Sequence, residues 1–212
     1  MRPRAPRLCH SRQMLLYNSA VSGNCYKVRL LAAQVGLPLE LHELSVVDRS
    51  DRPDVIGDLN PALRVPTLVL DDGRGLPESN AILWYLGDGS EYVPTDRYER
   101  AQVLQWQFFE QYQHEPAIAV ARFLLAYSGE AEKHADRIAR EIRNGYTVLD
   151  IMERYLANHT YFVGERYSIA DITLYAYTHV AHEGGFDLEG YPAIRSWLDR
   201  VAGQPGHVAI DA

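Results

Sequence analysis

Three short stretches set chemically competent groups at the ends of secondary-structure elements. In "SGNC", Ser22 to Cys25, a strand-like run gives way to a helix-like one. A C-x-x-C pair at such a turn makes a dithiol exchanger, in which the first cysteine attacks and the second resolves. Here the first position is serine, so the attacking thiol is gone and disulfide reduction is disfavoured. With Ser22 as N-cap, Asn24 and Cys25 fall in the first helical turn, where free N–H groups favour anions. A ligand thiol resting there loses its proton more readily, and a hydroxyl donates a hydrogen bond to the thiolate. Lowering a thiol pKa by about two units corresponds to ~2.7 kcal/mol. A charge-assisted hydrogen bond and a helix N-terminus together can supply that. A capping serine with no ligand is the alternative reading.

The second stretch, "RVPTLVL" from Arg64 to Leu70, sets a proline directly before a strand. A cis Pro66 would leave the N–H and C=O of Val65 open at a sheet edge, where an extended peptide can pair. A trans proline that only starts the strand is the other reading. The third, "PESNAILWYL" from Pro77 to Leu86, starts a helix with Ser79 as N-cap. Its N-terminus accepts a carboxylate, and Glu78 beside it can hold an ammonium group: together, the two ends of an α-amino acid. A plain cap beside an exposed acid remains open.

These groups need a frame. "QMLLYN" reads as a strand, and Val28, Leu31, Ala32 and Val35 form an apolar helical stripe stopped at Gly36 and Pro38. "LELHELSVV" is a second strand, "PDVIGDLNP" a short irregular helix, "TLVL" a third strand, and "DDGRG" a hairpin turn into a fourth. The helix after Ser79 ends at Gly87, so the order is βαβαββα. Counting back from Val28 places Ser22, rather than Ser19, at the helix start. From Tyr98 onward the pattern is helical only. Ala101, Leu104, Phe108 and Tyr112 define one face of a long helix that bends at Pro116. Ala135, Ile138, Ala139, Ile142, Tyr146 and Leu149 define another. "YSIADITLYAYTHVA" is apolar almost all round, a central helix entered through a capping box of Ser168 and Asp171. Ile194, Trp197, Leu198 and Val201 mark the last helix.

At 212 residues the chain can bury a substantial core, with 47% hydrophobic and 23% charged residues. A net charge of −7 argues against binding nucleic-acid phosphates, and no run is long and apolar enough for a membrane span. Two cysteines, Cys9 and Cys25, make no disulfide framework and favour a reducing compartment. The start, "MRPRAPRLCHSR", carries four arginines and no acid. Residues 1–13 read as a disordered tail or a start assigned upstream of Met14, with 14–87 as the first domain, 88–97 as linker and 98–212 as the second.

The three sites occur in one order within one βαβαββα unit, and with them the chain resembles the cytosolic glutathione transferases, in their serine-type, bacterial-like form. The likeness runs from about Met14 to Val201. "NPALRVPTLVLDDGRGLPESNAILWYL" carries it most specifically, and "FVGERYSIADITLYAY" is a second hallmark. The resemblance implies an α/β plus all-α architecture: a thioredoxin-like N-terminal domain followed by an all-helical C-terminal bundle. Glutathione would be the cosubstrate, with Val65 before a cis Pro66 pairing the cysteinyl backbone, and Glu78 and Ser79 holding the γ-glutamyl end. Arg64 and Arg52 would meet the glycine carboxylate. Ser22 occupies the position of the thiol-activating residue, with Asn24 as its backup; Tyr17 lies within the first strand, which excludes the tyrosine-dependent branch.

The family's second pocket lies between the domains, and from "FFEQYQHEPAIAVARFLLAY" the residues Phe109, Tyr112 and Arg122 are candidates to line it. The expected reaction is thiolate attack on a hydrophobic electrophile. A peroxidase, isomerase or lyase on the same site, or a glutathione-binding regulator without turnover, is the alternative. No metal is expected, because His179-x-x-His182 lacks a third ligand. A homodimer in the cytoplasm, with no nucleic-acid or membrane partner, completes the expectation.

Overall fold

The structure, a computed structural model, describes residues 13–212; the readings of residues 1–12, Cys9 among them, lie outside the described residues. The first half of the chain runs β1 (Leu15–Asn18), α1 (Gly23–Gln34), β2 (Glu40–Glu43), α2 (Arg52–Ile56), β3 (Thr67–Val69), β4 (Gly75–Pro77) and α3 (Ser79–Gly87). The strands form one mixed sheet in the order β2-β1-β3-β4, with β1 parallel to β2 and antiparallel to β3. Its register sets Leu16 opposite Leu68, and both are fully buried. The stripe on α1 buries Val28, Leu31 and Ala32 against this sheet and the neighbouring helices. Gly36, at φ 70°, lets the chain turn out of α1. This is a thioredoxin-like domain.

The second half is helical: α4 (Arg97–Phe109), α5 (Glu115–Arg122), α6 (Ala135–Leu156), α7 (Ile169–Thr178) and α8 (Pro192–Ala202). Asp96 caps α4, accepting from the N–H groups of Tyr98 and Glu99 at 2.9 and 3.0 Å. Every residue of α7 is buried, as its all-round apolar pattern requires. The capping box forms at its entrance, and the Asp171 carboxylate also accepts from the Phe162 N–H and the Trp197 indole. In place of a simple bend at Pro116, a π-helical turn spans Glu110–His114 and a second spans Phe123–Tyr127. Proline lacks an N–H and crowds the carbonyl four residues back, and the wider turn ahead of Pro116 accommodates both defects.

The stripe Ala101, Leu104, Phe108 and Tyr112 faces outward rather than into the bundle. The buried face of this helix is instead largely polar, with Gln107, Glu110 and His114 all nearly or fully covered. Each of those has a partner on another helix: Gln107 accepts from the Trp84 indole, Glu110 pairs with Lys27, and His114 meets the Thr178 hydroxyl.

Candidate active site

Between the two halves opens a cleft of about 520 Å³. Ser22 and Asn24 line it from the start of α1, Arg64 and Val65 from the loop before β3, and Glu115, Arg122 and Tyr177 from the helices. The fold brings these together because each stands at an element's end, where the chain turns.

Ser22 is the N-cap of α1, and its Oγ accepts from the Cys25 N–H at 3.3 Å. Its own hydroxyl hydrogen has no acceptor among the described residues. The Asn24 N–H is taken by the Tyr177 hydroxyl at 3.3 Å and the Tyr26 N–H by the Ser22 carbonyl, which leaves the Gly23 amide of the turn without an acceptor among the described residues. The anion-favouring field there is therefore shared among the Ser22 hydroxyl, the Gly23 N–H and Tyr177. Burial holds the Tyr177 phenol well above its ordinary pKa, so it remains a protonated donor. Gly23 is obligatory: a Cβ there would meet the Tyr177 ring at 2.6–2.8 Å.

Cys25 is fully buried, and burial pushes its thiol up to about 11 despite the opposing hydrogen bond from Ser22. It is a packed, neutral thiol without the character of a resolving cysteine.

Pro66 follows a cis peptide bond. The main-chain N–H and C=O of Val65 are unpaired among the described residues, and they border the cleft. Two buried side chains shape this loop: Asn60, which the sequence did not single out, and Arg52, which it assigned to the glycine carboxylate. Asn60 donates to the Arg64 carbonyl and to Thr67 Oγ1, at 2.9 and 3.0 Å. Arg52 donates to the carbonyls of Leu63 and Ser45, at 2.9 and 2.6 Å. Arg52 borders the cleft, but most of its guanidinium is committed to the loop, unlike that of exposed Arg64.

At the third stretch the structure corrects the cap. The helix begins at Ser79 itself, and Glu78 stands in the cap position with φ 72° and no side-chain capping bond. The Ser79 hydroxyl turns inward, donating to Asn24 Oδ1 at 3.2 Å and accepting from Lys27 Nζ at 3.4 Å. Lys27 also donates to Asn24 Oδ1 and to Glu110, each at 2.8 Å, in a fully buried ion pair. An ammonium group has no acceptor, so it fixes the Asn24 amide with its oxygen toward Lys27. The Asn24 Nδ2 then faces Glu115, at 3.4 Å. Glu115 is held above the ordinary carboxyl range by burial and by neighbouring Glu110. Ser79 and Asn24 are thus joined, while Glu78 is exposed beside them.

The candidates from the long helix divide. Arg122 borders the cleft, but Phe109 and Tyr112 do not: Phe109 packs edge-on against Trp106, and Tyr112 is 80% exposed on the outer face. The phase of the helix gives its cleft-facing positions to Pro116, Ala119, Val120 and Phe123 instead. Among the described residues no cluster of metal-ligating side chains forms. His179 stacks on Tyr175 and donates from Nδ1 to its carbonyl, while His182 is exposed.

Against known proteins, residues 21–88 match the model of the glutathione S-transferase N-terminal domain and residues 116–205 that of the C-terminal domain. A crystal structure of a glutathione S-transferase from Pseudomonas fluorescens superposes with a TM-score of 0.91 at 48% identity, over 94% of this chain and 99% of that one. Glutathione S-transferase 2 of Anopheles gambiae is 30% identical over 87% of this chain and 88% of its own length. The disulfide-bond oxidoreductase YfcG of Escherichia coli is 27% identical over 88% of this chain and 89% of its own length.

Proposed function

The chain belongs to the glutathione S-transferase family, and from that premise we propose that its cleft binds glutathione and activates the thiol for attack on a hydrophobic electrophile. The observation that carries this reading is the convergence of a free Ser22 hydroxyl and the unpaired main chain of Val65 on one cleft. Val65 pairs with the cysteinyl unit as a short strand would. That places the sulfur toward Ser22, whose hydroxyl donates to the thiolate. The Tyr177 hydroxyl, bordering the same cleft, adds a further donor, and the Gly23 N–H stands beside it in the same turn. Glu78 holds the γ-glutamyl ammonium, the start of α3 its carboxylate, and Arg64 the glycine carboxylate. The thiol proton passes to solvent; sulfur forms the new bond to carbon, and the leaving group departs with its electron pair. No covalent enzyme intermediate is needed.

The exposed face of α3 and α4, with Tyr85, Leu104, Phe108 and Tyr112 all more than 40% exposed, supports a homodimer in which a second copy covers it.

Turnover of an activated aryl halide, a hydroperoxide and a mixed disulfide, each with and without Ser22→Ala, tests the reading. Aryl-halide turnover that Ser22→Ala lowers supports conjugation. A wild-type protein that binds glutathione but turns over none of the three is a binding module, and the transferase reading fails.

A further inference from the structure

Among the described residues, five arginines and a single carboxylate line the cleft, in a chain whose formal charge is −7. Three of the five are occupied. Arg122 serves Glu183, Val21 and Tyr127; Arg52 holds two loop carbonyls; and Arg49 donates from Nε to the Val46 carbonyl. Arg64 and Arg137 are exposed, and neither guanidinium has an ion-pair or hydrogen-bond partner among the described residues. The two come from different domains. Arg64 adjoins Val65, on the side assigned above to the peptide. Arg137 projects from α6 on the helical side, where the remaining wall is apolar: Pro116, Ala119, Val120 and Phe123. An unpaired guanidinium bordering an apolar wall gains most from a ligand that brings an apolar body and a planar anion together.

Building on the reading of this cleft as a glutathione-transferase site, we propose that its electrophile carries a carboxylate, which Arg137 pairs while the apolar part lies along α5. The field favours this second anion. Glutathione brings two carboxylates and one ammonium, and the arginines outnumber the cleft's own acid, Glu115. A neutral electrophile uses the apolar wall but gains nothing from Arg137.

The test compares a para-carboxylated dinitrochlorobenzene with its methyl ester, in wild type and in Arg137→Gln and Arg137→Glu. With either probe, sulfur bonds to the ring carbon, the carbon–chlorine bond breaks, chloride leaves with the electron pair and the thiol proton goes to solvent. Dividing variant by wild-type kcat/KM removes the intrinsic reactivity of each probe. Arg137→Gln is expected to lower the ratio for the acid about tenfold and to leave the ester within about twofold, with a larger loss for the acid in Arg137→Glu. Added salt should weaken the wild-type preference for the acid. Equal responses of acid and ester to either substitution overturn the proposal.

A second measurement separates this outcome from failure of the transferase reading. Calorimetric binding of the two preformed glutathione conjugates needs no turnover. If neither halide reacts, the transferase reading falls, while the loss of affinity in Arg137→Gln for the acidic conjugate alone still decides the role of Arg137. Equal affinities in wild type and Arg137→Gln overturn it.

Discussion

The guanidinium of Arg122 donates to the carbonyl of Val21 at 2.6 Å, tying the residue that precedes Ser22 to the end of α5. The same group donates to Glu183 and to the Tyr127 hydroxyl, at 3.0 and 2.8 Å, and is almost fully buried. One side chain thus fixes the proposed thiol-activating turn to the helical domain. Arg122→Ala leaves these acceptors without their donor. A loss of about 2–4 kcal/mol in urea unfolding is expected, with turnover falling further than stability alone explains. Arg122→Lys should rescue only part, since one ammonium cannot reproduce the planar fork.

Ser22→Ala removes both the cap and the proposed donor to sulfur. The cap costs about 1 kcal/mol of stability. Without the hydroxyl, the bound thiol should titrate at higher pH, so the alkaline rise of kcat moves upward while glutathione affinity changes little. Thiolate absorbance of the bound peptide, followed against pH, reads this directly. An unchanged titration curve would transfer the role to the Gly23 N–H or Tyr177.

Lys27 and Glu110 form an ion pair with no exposed side-chain surface. Lys27→Met strands the carboxylate, and a loss of about 3–5 kcal/mol is expected in denaturant unfolding. The double variant Lys27→Met with Glu110→Leu should recover much of it. A double variant no more stable than Lys27→Met alone would show that the surrounding polar network, rather than the uncompensated charge, sets the cost.

Acid should destabilise the protein from about pH 6.5 downward, ahead of most carboxylates. His114 is fully buried, burial and Lys27 push its pKa down to about 3, and its Nδ1 has no partner among the described residues. His179 is pushed down to about 4, chiefly by burial. Both are neutral in the fold but take protons when unfolded below about pH 6.5. The unfolded state then binds more protons, so stability falls as pH drops from 6.5 toward 4, by ~1.4 kcal/mol per pH unit for each histidine. Chemical unfolding at several pH values checks this, and His114→Phe should flatten the slope.

Phe108→Glu puts a charge in the middle of the exposed apolar face of α4, where Phe108 is 60% exposed. Sedimentation should show a monomer for the variant and a dimer for the wild type. The fold itself should survive, because the side chain contributes little to the interior.

The order βαβαββα, the buried α7 and the Ser168–Asp171 box were legible because each follows local rules of period and capping. Ser22 at the start of α1 was legible for the same reason. The long helix was not. Its apolar stripe faces solvent, while Gln107, Glu110 and His114 are interior because partners distant in sequence satisfy them. No local pattern announces such pairing, so the sequence points Phe109 and Tyr112 toward a cleft they do not border. The roles of Asn60, Lys27 and Tyr177 depend likewise on contacts between elements. The residue type of Ser79 favours the cap position, but Glu78, at φ 72°, takes it, and the helix starts one residue earlier.

The π-helical turn at Glu110–His114 accommodates one residue more than an α-helix of the same rise. Excising a single residue there would restore regular winding and keep the flanking segments in phase, whereas the same excision within the regular α4 would swing everything downstream by about 100° about the axis. Only that second excision would rotate Glu115, the apolar wall and Arg122 off the cleft as a block. Along this helix, a one-residue deletion is absorbed where it falls in the wide turn and acts on the whole wall at once where it falls in α4.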